Sequence, residues 1–190
     1  MVFLQLSAFY FFYFAAVAVY VIFMPKVLSD IGYNTSEIGL LFALAPLMRF
    51  ITPFIFLKHI KLDSKVFKLA LGLSILSSAS FYLTIEHFYA FMINNAILGV
   101  CLSLILPYIE IIALKDLGKE RYGKSRLYGS IGFMLISLIL ARYLSEPKIA
   151  LHYYLATTLL TSIFAIFLLK HDVSHEEQKS SKPFSFLQYW

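Results

Sequence analysis

The stretch that decides the fold is Glu110-Ile111-Ile112-Ala113-Leu114-Lys115-Asp116-Leu117-Gly118-Lys119-Glu120-Arg121-Tyr122-Gly123-Lys124-Ser125-Arg126. Glu110 sits in a long apolar run and Arg126 opens the next. Between them lies a basic turn, Lys115 to Lys124, with Gly118 at its centre. Glu110 stands eight residues before Gly118 and Arg126 eight after it. If the flanking runs are helices of one antiparallel hairpin, the carboxylate and the guanidinium lie at the same depth. Charges at or inside a membrane boundary are costly to insert, so the pair marks a candidate functional site.

The composition sets the class. Hydrophobic residues make up 60% of the chain and charged residues 14%. A soluble domain of 190 residues has no use for so much apolar surface, whereas a bundle of membrane spans requires it. Six apolar runs succeed one another: Phe3 to about Leu28, Ile38 to Leu57, Val66 to Leu83, Phe88 to Leu114, Leu127 to Leu144 and Ile149 to Leu169. Each is roughly 18–27 residues, long enough to cross about 30 Å of hydrocarbon as a helix. Polar breakers separate them. Asn34 followed by Glu37 resembles a capping box that opens the second helix. The first run lacks a basic n-region and a cleavage site, so it reads as a retained span rather than a signal peptide. The expected fold class is therefore an all-α membrane protein of six transmembrane helices.

Basic residues are distributed unevenly. The second connection carries Lys58, Lys61, Lys65 and Lys68, and the fourth carries Lys115, Lys119, Arg121, Lys124 and Arg126. Lys170, Lys179 and Lys182 come after the last run, whereas the first, third and fifth connections offer only Lys26, Arg142 and Lys148. Positive charge stays on the cytoplasmic side, so both termini and the even-numbered loops are expected there. Residues 1–169 read as the transmembrane bundle and 170–182, polar throughout, as a cytoplasmic linker. Residues 183–190, Pro183 to Trp190, turn apolar again and read as the start of a truncated second half.

A family resemblance rests on specific residues. Tyr122-Gly123-Lys124-Ser125-Arg126-Leu127-Tyr128-Gly129 resembles the aromatic-Gly-basic-x-Arg-x-aromatic-Gly pattern that opens the fifth helix in one branch of the major facilitator superfamily, the branch of lactose permease and phenylpropionate permease (nucleoside and oligosaccharide proton symporters). Ile31-Gly32-Tyr33-Asn34-Thr35-Ser36-Glu37-Ile38-Gly39 resembles the same branch at its second helix, and Pro107-Tyr108-Ile109-Glu110 its fourth. Arg49-Phe50 is closer to the phenylpropionate type. The resemblance covers essentially the whole chain and implies the N-terminal six-helix half of a secondary transporter. The superfamily signature between the second and third helices is lost: Phe56 stands where its glycine would be and Ile60 where its aspartate would be. Lys58, Lys61 and the displaced Asp63 remain there. With Lys124 they are the candidate gating residues of the cytoplasmic loops.

In the lactose permease type, the residues matching Glu110 and Arg126 bind the sugar and the aromatic matching Phe133 stacks on it. The resemblance thus implies a substrate clamp, with Glu110 accepting hydrogen bonds and Arg126 donating a planar fork. Phe133 lies seven residues beyond Arg126, two turns on and on the same face. A structural salt bridge between the fourth and fifth helices is one competing reading, and an Arg126 that simply snorkels to the interface is another. Arg49 lies about twelve residues into the second span, near the midplane, and an unpaired guanidinium there requires an anion. That anion is a carboxylate substrate, a residue of a second half, or carbonyls in a wet cavity. Tyr10, Tyr13, Val17, Tyr20 and Met24 form one stripe along the first helix. Tyr13 and Tyr20 are candidates to offer hydroxyls to substrate, with packing as the plain alternative. Asn94 and Asn95 suit hydrogen bonds between helices, Gly129 and Gly132 close packing. Pro46 and Pro53 are expected to bend the second helix.

No HExxH, GxSxG or Walker loop is present, and no paired carboxylates lie in the apolar runs. The chain is expected not to be an enzyme and to need no cofactor, and no metal site is expected. Cys101, the single cysteine, excludes a disulfide framework. The expected function is alternating-access transport of a small polar or anionic organic solute, proton-coupled by resemblance. The expected partners are that solute, the lipid bilayer and a missing C-terminal six-helix half, or a second copy, with no nucleic acid. The expected location is the inner (plasma) membrane. Two other readings stay open: a half-size carrier acting as a homodimer, and a non-transporting scaffold or sensor module.

Overall fold

The computed structural model describes residues 2–59, 62–143 and 146–180, and no side chain at 55–59, 147 or 172–180. Among the described residues there is no strand. Helix α1 spans Val2–Ile31, α2 Thr35–His59, α3 Ser64–Thr84 and α6 Pro147–Ser180. Between α3 and α6 a single helical run, Phe88–Tyr143, is interrupted at Gly118, whose φ of 71° and ψ of 170° are not helical. Its arms are α4 (88–117) and α5 (119–143). Five helical runs are long and apolar enough to cross a membrane.

The chain folds back at Gly118. Along one straight helix, residues 110 and 126 would stand about 24 Å apart. Instead, the Arg126 guanidinium lies 2.8 Å from the Glu110 carboxylate, a contact only two returning arms can make. The backbone angles at Gly118 fall in a region essentially reserved for glycine. Two other glycines bring α5 onto α1. A Cβ on Gly132 would collide with the Phe11 carbonyl, and one on Gly129 with the Phe14 ring. Gly99 of α4 lies against α2, where a Cβ would sit 3.0 Å from the Met48 Cβ and 3.2 Å from the Ala45 Cα.

Helix α1 is central. Leu6, Phe9, Tyr10 and Tyr13 join Phe67, Ile105 and Ile109 in one buried cluster. Val19, Met24 and Leu28 join Phe81, Phe91 and Tyr154 in another. Between these clusters α1 loosens into one π-turn, Val19–Phe23, where the Met24 N–H bonds the Val19 carbonyl five residues back. Pro25 comes next, and its missing N–H and its ring bulk oppose the ordinary ladder there. Gly32, with φ of 111°, ends α1, and the Tyr33 hydroxyl donates to the Ile85 carbonyl at 2.9 Å.

The expected capping box is present. The Asn34 N–H donates to Glu37 and the Glu37 N–H to Asn34, each at 2.9 Å. Helix α2 remains helical through Pro46 and Pro53. Asn94 clasps α4 to α3: its amide donates to the Ser77 carbonyl at 3.1 Å and the Ser80 hydroxyl at 2.7 Å, and its Oδ1 accepts from the Ser77 hydroxyl. At the other end of the chain, α6 continues through Ser180, into the stretch expected to be a linker. Residues 170–180 contain neither glycine nor proline, and Glu176, Glu177, Gln178 and Lys179 are good helix formers. Residues 181–190, including the apolar segment from Pro183, lie outside the described residues.

Replacing Gly132 with Ala is expected to destabilise the bundle by about 1–3 kcal/mol, because the obstacle is backbone that cannot swing away. Gly118→Ala is expected to cost a similar ~1–3 kcal/mol through strain at the turn. Gly123→Ala meets nothing within 4 Å and is expected to be neutral or slightly stabilising. Thermal unfolding of the three variants in one detergent checks the order.

Candidate functional site

Five helices turn one face each toward a common cavity of about 130 Å³, room for about four water molecules at their liquid volume. Helix α1 contributes Tyr13, Val17 and Tyr20, a helical stripe. Phe42, Ala45, Pro46 and Arg49 come from α2, with offsets of three, four and seven, again one face. Leu98, Leu102 and Ile105 of α4 form an apolar wall, and Ser74, Tyr154, Thr158, Thr161 and Ser162 of α3 and α6 a polar one.

The polar wall mainly accepts hydrogen bonds. Ser74 donates its hydroxyl proton to the Leu71 carbonyl, Thr158 to Tyr154, Thr161 to Thr157 and Ser162 to Thr158, at 2.7–2.9 Å. Each hydroxyl proton is spent on its own helix, which leaves lone pairs toward the cavity. Tyr20 is also committed. Its hydroxyl donates to Asn95 Oδ1 at 2.6 Å, and the Asn95 amide in turn bonds the Phe91 carbonyl at 2.9 Å. Tyr20 thus offers substrate an acceptor oxygen and a ring, which lies 4.9 Å from that of Phe42 and 5.8 Å from that of Tyr154, centroid to centroid.

Arg49 carries the one formal charge among the described residues that line the cavity, and it has no ion-pair partner among them. Tyr13 stands within electrostatic reach of Arg49, Glu110 and Arg126.

Glu110 and Arg126 form a separate centre. Arg126 Nη1 donates to Glu110 Oε1 at 2.8 Å and to the Tyr122 hydroxyl oxygen at 2.6 Å, and the Tyr122 hydroxyl donates to Glu110 Oε1 at 3.2 Å. The guanidinium lies 5.9 Å from the centre of the Tyr122 ring. Tyr10 of α1 presents an edge to that ring, with centroids 6.3 Å apart. Neither Glu110 nor Arg126 lines the cavity, nor does the half-buried Phe133. Of the six expected substrate-binding residues, Tyr13, Tyr20 and Arg49 therefore come together. Glu110 and Arg126 pair elsewhere.

The expected gating residues divide differently. Asp63 caps α3, its Oδ1 accepting from the N–H groups of Lys65 at 3.0 Å and Val66 at 2.9 Å. Lys124 faces Glu120 one turn earlier at 3.5 Å, both well exposed. The Lys58 side chain and all of Lys61 lie outside the described residues. His152 is exposed, with its Nδ1 3.0 Å from the Lys148 carbonyl and its ring edge-on to Tyr82. Asn95 makes the bond between helices expected of it, to Tyr20, whereas the contact of Tyr122 with the charge pair escapes the sequence reading. Tyr122 sits four residues before Arg126, a helical neighbour whose spacing is a usable signal. The pairing of Asn95 with Tyr20 spans 75 residues and leaves no local trace.

Residues 3–185 match the model of the MFS_1 like family. The chain belongs to that family. No curated protein and no solved structure matches it. Membership in the MFS_1 like family, together with the long apolar helices, makes this a multi-pass integral membrane protein of transporter type.

Replacing Tyr20 with Phe strands the Asn95 carbonyl oxygen in a fully buried position and is expected to lower stability by about 1–3 kcal/mol. The double variant Tyr20→Phe with Asn95→Leu removes both partners and is expected to recover part of that loss. Thermal unfolding of the two singles and the double gives the coupling.

Proposed function

We propose that this chain is the N-terminal bundle of a secondary active transporter. It moves a small polar or anionic organic solute by alternating access, with a proton gradient as the driving force. In this reading α1 to α6 are six membrane spans, with Gly118 and both termini on the cytoplasmic side of the inner (plasma) membrane. The observation that carries the reading is the Arg49 cavity, an ionisable group held among five converging helices of a transporter-family chain. No described residue is an obvious proton carrier, so proton coupling rests on the resemblance to the lactose and phenylpropionate permease branch. Helix α2 is the least buried of the spans, which supports a second six-helix bundle, or a second copy, against its outer side.

Glu110 and Arg126 take the role of a cytoplasmic-side clamp. Their side chains remain 27% and 46% exposed, so the pair adds little to stability on its own, about 0–1 kcal/mol. Such a pair is cheap to open, as a gate or a substrate-exchanging contact must be. Arg126→Gln is therefore expected to leave thermal stability nearly unchanged and to raise the solute concentration for half-maximal uptake by about tenfold or more. Unchanged uptake would reduce the pair to a structural tie.

The direct test uses the full-length protein in proteoliposomes with an imposed pH gradient, inside alkaline. Accumulation of a sugar, nucleoside or organic acid that collapses with a protonophore is expected. No accumulation across those classes would count against transport.

A further inference from the structure

The donors and acceptors around the cavity are unequal, and the inequality points to a class of ligand. The Ser and Thr hydroxyls of the polar wall have given their protons to backbone carbonyls, and Tyr20 has given its proton to Asn95. Besides the Tyr154 hydroxyl, which also lines the cavity, two donor groups remain toward the space. One is the guanidinium of Arg49, with five N–H bonds and no ion-pair partner among the described residues. The other is the hydroxyl of Tyr13, which makes no hydrogen bond to another described residue and lies within electrostatic reach of Arg49. No aspartate or glutamate lines the cavity among the described residues, so nothing there offsets the positive charge. A second wall, Val17, Leu71, Leu98, Leu102 and Ile105, offers only hydrocarbon.

We propose that the Arg49 cavity is built for a small organic monoanion: a carboxylate held by Arg49 and Tyr13, with an apolar body along the α4 wall. The carboxylate matches the planar fork of a guanidinium. One cation balances one negative charge, whereas a second carboxylate would be left buried against hydrocarbon, at high cost. A cationic solute would face uncompensated repulsion from Arg49. A polyhydroxylated solute would find acceptors on α3 and α6 but would waste its hydroxyls on the α4 wall. The volume of about 130 Å³ suits a small solute, since a cavity of roughly 150 Å³ admits benzene. The proposal rests on the transporter reading of this cavity and narrows its substrate class.

The test is binding to the full-length purified protein, read by thermal stabilisation, with four probes of similar length: hexanoate, hexanamide, hexylammonium and adipate. Hexanoate is expected to bind about tenfold or more tighter than hexanamide, with hexylammonium and adipate weaker than hexanoate. Arg49→Gln is expected to bring hexanoate to within about twofold of hexanamide, and Arg49→Lys to keep part of the preference. Equal binding of hexanoate and hexanamide, a preference that survives Arg49→Gln, or no hexanoate binding overturns the proposal. Those results also cover the case in which an acidic side chain elsewhere in the full protein neutralises Arg49. Proteoliposome uptake separates the two levels. Accumulation of a sugar without hexanoate binding leaves transport standing and removes the monoanion. Hexanoate bound with the expected pattern but never moved leaves the site standing and removes transport.

Discussion

The return of the chain at Gly118 is the constraint on which the rest depends. Without it, α4 and α5 are one rod of 56 residues, and α5 has no way back to α1. With it, Gly129 and Gly132 settle against Phe14 and Phe11, and α1 becomes the central helix against which both arms pack. The Glu110–Arg126–Tyr122 contact closes the turn from the inside. It is half-exposed and weak by itself, so the glycine backbone and the close α1–α5 packing hold the return, while the charge pair stays free to serve function.

The cavity is a consequence of that arrangement. Helix α1 reaches it as a regular helix with Tyr13 and Val17, then loosens into a π-turn at Tyr20. A π-turn adds one residue to a helical turn and shifts the register of the residues beyond it. Tyr13, Val17 and Tyr20 line the cavity, whereas Met24, beyond the π-turn, is buried in the second core cluster. Asn95 then fixes the Tyr20 hydroxyl, so the aromatic wall stands with its hydrogen bonding settled before any solute arrives. Arg49 is the exception, a charge left without a counter-ion among the described residues, where the Ser and Thr hydroxyls of the α3 and α6 wall are already committed to backbone carbonyls.

Most of the fold is legible in the sequence because a membrane forces local simplicity. Each span must be a continuous apolar run, and the runs ending near Leu114 and starting near Leu127 mark the two arms that Gly118 divides. The Asn34–Glu37 box is readable for the same reason, since both partners lie within one turn. Helix α6 past Lys170 is harder to read, because polar residues with good helix propensity look like a linker when only hydropathy is followed. The site is less legible than the fold. Counting residues gives a side chain's depth along a span but not the direction it faces, so Glu110, Arg126 and Arg49 look like parts of one site until the helices are assembled. Assembly places Arg49 in the cavity and the pair outside it. Tyr20 looks like a free hydroxyl for substrate until Asn95, from a distant helix, takes its proton.

The claim that the chain returns through the membrane after Gly118 is tested most directly by the side from which its two flanking connections can be reached. With the buried Cys101 replaced by Ser, single cysteines at Lys119→Cys and Glu146→Cys are labelled with a membrane-impermeant maleimide in right-side-out and inside-out vesicles. Labelling of position 119 from the cytoplasmic face and of position 146 from the opposite face is the expected result. Labelling of both from the same face would mean that α5 does not cross, and would remove the bundle and the cavity built upon it.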